Sequence, residues 1–120
     1  MTRVFLADAQ HETRSALRLL LLDLDMQVVG EANDWPSALT KIQATNPDML
    51  VLEWELPAGV GAALVALRVT RPNLRVVVIS NLLESRQAAF HAGADAFISK
   101  GDAADRVTER LRAAAGTVGS

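Results

Sequence analysis

Six polar residues stand directly behind short apolar runs: Asp8 behind Val4 to Ala7, Glu53 and Glu55 behind Met49 to Leu52, Ser80 and Asn81 behind Val76 to Ile79, and Lys100 just past Ala96 to Ile98. If those runs are parallel strands of one sheet, the residues behind them meet at one edge, because the functional crevice of an open α/β sheet lies beyond the carboxyl ends of its strands. Carboxylates, a hydroxyl and an ammonium converging there would form a small polar pocket suited to a phosphoryl group or a cation. Each residue also has a plainer role. Asp8 suits the positive N-terminus of a following helix, Glu53 and Glu55 suit a solvated loop, Ser80 suits a turn and Lys100 the surface. On chemistry alone both readings stand.

Other site chemistries are poorly represented. The first run is followed by Asp8-Ala9-Gln10-His11, which is neither a glycine-rich dinucleotide turn nor a P-loop. Gly59-Val60-Gly61 is too short a signal for a phosphate cradle, and Ser80 sits in Ile79-Ser80-Asn81, which is not a nucleophile elbow. His11 and His91 lack a second histidine at ligand spacing, so surface or helix-end roles are expected of them. Trp54, between the two glutamates, reads as packing or lid material.

The elements that must position these groups follow from periodicity. Strands are expected at Val4 to Ala7, Met49 to Leu52, Val76 to Ile79 and Ala96 to Ile98, with a more polar edge strand at Gln27 to Val29. Continuous Leu/Val runs without polar alternation fit strands covered on both faces. Between them, Leu17, Leu20, Leu21 and Leu24 form one helical stripe, and Ala38, Leu39 and Ile42 a shorter one. Helices are also expected over residues 62–70, 84–92 and 103–115, the last carrying Val107, Leu111 and Ala114 on one face. Asn46-Pro47, Arg71-Pro72-Asn73 and Gly93 supply the stops, because proline cannot continue a helix and glycine caps one at little cost. Five β-then-α units imply right-handed crossovers and an open, doubly wound α/β sheet with helices on both faces.

Composition limits the function classes. The 120 residues, 50% hydrophobic and 22% charged, fit one domain spanning 1–120, with Gly116 to Ser120 read as a frayed tail. A formal charge of −2 gives no positive field for non-specific nucleic-acid binding, so no direct nucleic-acid contact is expected. The absence of cysteine removes disulfides, thiolate catalysis and Cys-ligated zinc. No apolar run approaches the roughly 18 residues of a membrane span, and Met1-Thr2-Arg3 runs straight into a strand, so a cytoplasmic protein without membrane contact is expected.

The chain from Val4 to Ala115 resembles the receiver domain of two-component response regulators, CheY-like proteins, and most of all the NarL/FixJ-type branch that often precedes a helix-turn-helix DNA-binding domain. The resemblance rests on Val28-Val29-Gly30-Glu31-Ala32, Pro47 to Leu52, Leu56-Pro57 with Gly61, Pro72 to Ser80, and Ala92-Gly93-Ala94-Asp95-Ala96-Phe97-Ile98-Ser99-Lys100 taken together. It implies a three-layer, flavodoxin-like sandwich with five parallel strands in the order 2-1-3-4-5 and five helices. It also implies a signalling role in which an aspartate ending the third strand accepts a phosphoryl group with Mg²⁺ held by acids after the first strand. By that resemblance Asp8 matches the first of the acidic pair, Ser80 the hydroxyl and Lys100 the lysine that bind phosphoryl oxygens, and Phe97 the aromatic that reports the switch.

Two positions depart from the pattern. Ala9 stands where the second acid, a direct Mg²⁺ ligand, is expected, and a methyl group cannot coordinate a hard cation. Glu53 stands at the phosphoacceptor position, its carboxylate displaced by roughly 1 Å or more, a misplacement that can cost on the order of 100-fold in an in-line transfer. Both losses strike the same reaction, so the expectation is an atypical receiver acting through protein contacts, not an enzyme, with no cofactor and with Mg²⁺ binding lost or weak. Glu53 would instead pair with Lys100 or accept a hydrogen bond from Ser80. Two alternatives stay open: a competent phosphoacceptor using Glu53, and a pseudo-receiver whose acids Asp8, Glu53 and Glu55 hold a metal or small ligand. Asn81 narrows the pocket and Gly101, in place of the usual Pro, gives its loop freedom. Expected partners are a histidine kinase, an attached or separate output domain, or a second copy, through helix 1 with helix 5 or the helix 4, strand 5, helix 5 face around Phe97. Leu19 and Leu22 lie off the main stripe of the first helix and mark an apolar patch there.

Overall fold

A computed structural model describes the backbone of residues 1–57 and 59–119 and the side chains of those residues up to Gly116. The strands are β1 (Arg3–Ala7), β2 (Gln27–Ala32), β3 (Met49–Glu53), β4 (Arg75–Ser80) and β5 (Ala96–Ser99), and the helices α1 (His11–Asp23), α2 (Trp35–Thr45), α3 (Val60–Thr70), α4 (Arg86–Ala92) and α5 (Ala104–Gly119). All strand pairs are parallel and run in the order β2-β1-β3-β4-β5. β2 is the edge strand that its polar sequence suggests, though it runs three residues longer than expected.

Strand periodicity divides the interior into two layers, because successive side chains leave a strand on opposite faces. Phe5, Ala7, Leu50, Leu52, Val76, Val78 and Phe97 pack with α2, α3 and α4 residues such as Trp35, Ile42, Leu64 and Ala89. Val4, Leu6, Met49, Val51, Val77, Ile79 and Ile98 pack with Leu17 and Leu21 of α1 and Val107 and Leu111 of α5. The strand order explains the partition. The chain steps one way from β1 to β2 and the other way from β2 through β5, and crossovers of one hand place the two directions on opposite faces. The reversal leaves a switch point between the carboxyl ends of β1 and β3, beside Asp8 and Glu53.

Local chemistry fixes most boundaries. The Asp34 carboxylate caps α2 by accepting the Ser37 N–H at 2.8 Å. Asn46, left-handed at φ 47°, and Gly93, at φ 117°, end α2 and α4 where the sequence places the stops. Differences from expectation are small. α3 starts at Val60, with Gly59 preceding it in a left-handed conformation, and the segment before α4 opens with a 3₁₀ turn at Leu83–Ser85. β3 and β4 each gain a residue at the carboxyl end, and β4 also gains Arg75 at its start, so Glu53 and Ser80 end strands instead of beginning loops, held in register with Ile79 and Ser99. The backbone of α5 continues through Gly119, so the first part of the expected tail is helical, while Ser120 lies outside the described residues. Among the described residues no helix is long and apolar enough to cross a membrane.

Candidate functional site

Three backbone hydrogen bonds extend the sheet beyond its strands and seat the site. The N–H of Asp8 donates to the Ala32 carbonyl (3.0 Å), that of Trp54 to Ile79 (2.9 Å) and that of Lys100 to Ser80 (2.8 Å). Asp8, Glu53 and Ser80 are buried. These are polar groups at the ends of strands otherwise walled by aliphatic side chains, so each needs a partner inside the protein.

Glu53 and Lys100 supply much of it. One Glu53 oxygen, Oε1, accepts the N–H of Ala9 at 2.8 Å, and Oε2 accepts from Lys100 Nζ at 2.9 Å. Lys100 Nζ also lies 3.2 Å from Asp8 Oδ2 and donates to Gln10 Oε1 at 2.8 Å. Asp8 Oδ1 accepts the Gln10 N–H at 2.8 Å, while Oδ2 is buried with the ammonium beside it but out of line for a hydrogen bond. Each of the three side chains acts on the charge of the others. Burial, reinforced by the neighbouring Glu53 charge, raises the Asp8 carboxyl above its usual range despite the Gln10 N–H and Lys100. Burial pushes Glu53 the same way but is outweighed by the Ala9 N–H and Lys100, so its carboxyl is lowered. Burial works against the Lys100 charge too, yet the two carboxylates hold its ammonium above the ordinary lysine value.

Glu55 and Ser80 form a second, separate cluster. The Ser80 hydroxyl donates to Glu55 Oε2 at 2.6 Å, the Asn81 N–H donates to Glu55 Oε1 at 2.8 Å, and the Leu82 N–H donates to Ser80 Oγ at 3.0 Å. Of the two partners foreseen for Glu53, Lys100 is the one it takes. Ser80 is drawn to Glu55, whose longer reach from the loop brings its carboxylate over the end of β4. The pocket of three acids read from sequence is thus split, with Asp8 and Glu53 on Lys100 and Glu55 on the β4 end. Among the described residues no group of three or more His, Asp or Glu side chains is placed to hold a metal ion.

Other expected participants are located plainly. Phe97 is buried in the layer beneath α4. It therefore does not form the surface of the α4, β5, α5 face, where the partly exposed aromatic is Phe90, with the Arg86 guanidinium 5.2 Å from its ring centre. Trp54 is half-buried against the α2, α3, α4 layer, its ring passing over Gly61, and so packs instead of lying free as a lid. The loop after Lys100 is tied down despite Gly101: its N–H donates to Ser99 Oγ, and the Asp102 carboxylate accepts from Ser99 N. Gln10 and Arg14 went unread in the sequence. Arg14 donates to the Asp8 carbonyl at 2.6 Å and pairs with Glu31, fixing the turn that carries Asp8. The signal for Gln10 was its position two residues after Asp8, on the same turn.

The family is decided by comparison with known sequences, since residues 4–112 match the model of the response regulator receiver domain. The chain is a response regulator receiver domain. It is similar to the chemotaxis protein CheY of Listeria monocytogenes, 30% identical over 96% of this chain and 99% of that protein. It is also 35% identical, over 83% of its length, to the DNA-binding transcriptional activator DevR/DosR of Mycobacterium tuberculosis, of which the match spans 48%. The chain thus spans about half the length of such transcriptional relatives. Among solved structures, the signal receiver domain of NarL from Mycobacterium tuberculosis superposes with a TM-score of 0.80 at 29% identity, covering 96% of this chain and 97% of that one. The CheY fold in the CheX-CheY-BeF3-Mg complex of Borrelia burgdorferi superposes with a TM-score of 0.84, at 22% identity and covering 93% and 87% of the two chains.

The position beside Asp8 is Ala9, which offers no ligand atom and whose N–H already holds a Glu53 oxygen. The Lys100 ammonium lies against Asp8 and Glu53, the two carboxylates nearest that position.

Proposed function

We propose that this receiver domain signals through protein contacts in one fixed state, without Mg²⁺-dependent aspartyl phosphorylation and without catalysis of its own. The observation that carries this reading is the commitment of both Glu53 oxygens, one to the Ala9 N–H and one to Lys100. Transfer to Glu53 would have to break or re-aim these contacts to bring an oxygen in line with the donor, and the metal that usually neutralises the transferring phosphoryl lacks a second carboxylate here. Glu53 supplies one charge where a phosphoryl group supplies about 1.5 to 2, so it substitutes for it only in part.

The partners proposed are proteins: a histidine kinase docking on the domain, an output module controlled by it, or a second copy. Two surfaces suit such contacts. On α1, Leu19 and Leu22 are 66% and 68% exposed, against the buried Leu17 and Leu21 of the same helix. Around α4, Leu83 and Phe90 are exposed beside Arg86. Similarity to a DNA-binding activator supports a role in transcriptional control through an output module, and the formal charge of −2 supports a receiver that makes no nucleic-acid contact itself.

Intact mass after incubation with a small-molecule phosphodonor and Mg²⁺ tests the reading. The expected spectrum shows the unmodified chain, and a stoichiometric phosphate adduct released by alkali would overturn it.

A further inference from the structure

The segment joining β4 to α4 is held with little hydrophobic burial. Its residues Leu82 and Leu83 are 47% and 65% exposed, and none of the side chains of its 3₁₀ turn, Leu83–Ser85, is buried. Hydrophobic burial therefore does little to fix it. Polar contacts do: Glu55 receives the Ser80 hydroxyl on one oxygen and the Asn81 N–H on the other, and Ser80 Oγ receives the Leu82 N–H. The 2.6 Å distance marks the Ser80 proton as donated to the carboxylate and not to the Leu82 carbonyl 3.2 Å away. Donors from two consecutive residues thus converge on one carboxylate, and that carboxylate comes from the loop after β3.

We propose that Glu55 is the positioning residue of the β4–α4 segment: its carboxylate gathers the Ser80 hydroxyl and the Asn81 N–H as an incoming oxyanion would, and so holds Leu82 and Leu83 in one presentation without a phosphoryl group. The inference deepens the reading of a phosphorylation-independent domain and rests on it. Two acids divide the neutralising work: Glu53 takes the cation and the Ala9 N–H, and Glu55 takes the hydroxyl and the Asn81 N–H. Glu55 is itself exposed, so its replacement leaves the core untouched.

Amide hydrogen exchange on the ¹⁵N-labelled chain, with no phosphodonor present, provides the test. Glu55→Ala should speed exchange at Asn81 on the order of tenfold, while Leu52 and Val78 in the central strands keep their parent rates. Glu55→Gln, which keeps one acceptor oxygen, should fall between parent and Glu55→Ala. Ser80→Ala should release Leu82 while Asn81 stays protected by Glu55. A graded, local response in that order supports the proposal, because a general loss of stability would speed the strand amides as well. Parent-like exchange at Asn81 in Glu55→Ala, or equal acceleration at Asn81, Leu52 and Val78, overturns it. The outcomes are separable from the phosphorylation test: a phosphate adduct on the parent chain would sink the proposed function while leaving Asn81 protection as measured.

Discussion

Replacing Lys100 with methionine removes one charge and little volume from a place where two buried acids depend on it. Its ammonium is 2.9 Å from Glu53 Oε2 and 3.2 Å from Asp8 Oδ2, with side-chain exposures of 10%, 6% and 2% for Lys100, Glu53 and Asp8. Removing one partner of a buried ion pair costs about 3–5 kcal/mol, because the survivor is left charged and desolvated. A chain of 120 residues holds roughly 6–18 kcal/mol in all, so the variant loses a sizeable fraction of its stability. At about 3 kcal/mol the melting temperature falls by about 10–15 °C. The sign of the pH dependence follows from the two carboxyls. In the parent chain the lowered Glu53 carboxyl contributes stability above its ordinary value of 4.5, and that contribution is lost as pH falls through the folded value. In the variant both acids lose their cation and are raised. A raised carboxyl contributes stability below its unfolded value that is lost as pH rises through the folded one, so the penalty is greatest at neutral pH. The gap between parent and variant should therefore narrow on going from pH 7 towards pH 4. Urea unfolding followed by tryptophan fluorescence and circular dichroism at both pH values measures it. A gap below about 1 kcal/mol at pH 7, or one that does not change with pH, would refute the reasoning. Adding Glu53→Gln to the variant should recover part of the loss, since one of the stranded charges is then gone.

Three further outcomes are expected. Ala9→Asp with Glu53→Asp returns a ligand oxygen beside Asp8 and shortens the acceptor, and should yield an Mg²⁺-dependent phosphate adduct by intact mass; no adduct and no Mg²⁺ binding would mean that the loss does not reside in these two positions. Gly30→Ala places a Cβ 2.7 Å from Cε2 of the fully buried Phe5 ring, and should cost about 1–3 kcal/mol in denaturant unfolding, so a neutral result would show that the ring can move aside. Leu19→Glu should weaken self-association in sedimentation while changing fold stability by no more than about 0.5 kcal/mol, and an unchanged sedimentation profile would dismiss the α1 patch as an interface.

Much of the architecture was legible because its signals are local. Apolar runs such as Val76 to Ile79 can hardly be anything but covered strands, and Asn46, Pro72 and Gly93 stop helices by their own backbone chemistry. Exposure of Leu19 and Leu22 followed from 3.6-residue spacing alone. The two altered positions were equally plain, since Ala9 has no oxygen to offer a cation in any fold and Glu53 is one methylene longer than aspartate wherever it sits. Pairings were not legible in the same way. Glu53, Glu55, Ser80 and Lys100 are separated by up to 47 residues along the chain, and which acid meets which donor depends on about an ångström of loop placement that no spacing encodes. Only the packed sheet sends Glu53 to Lys100 and the Ala9 N–H, leaves Ser80 to Glu55, and turns Phe97 inward so that Phe90 shows at the surface. Residue type set what each group is able to do; three-dimensional proximity in a low-dielectric crevice set which of those abilities are used.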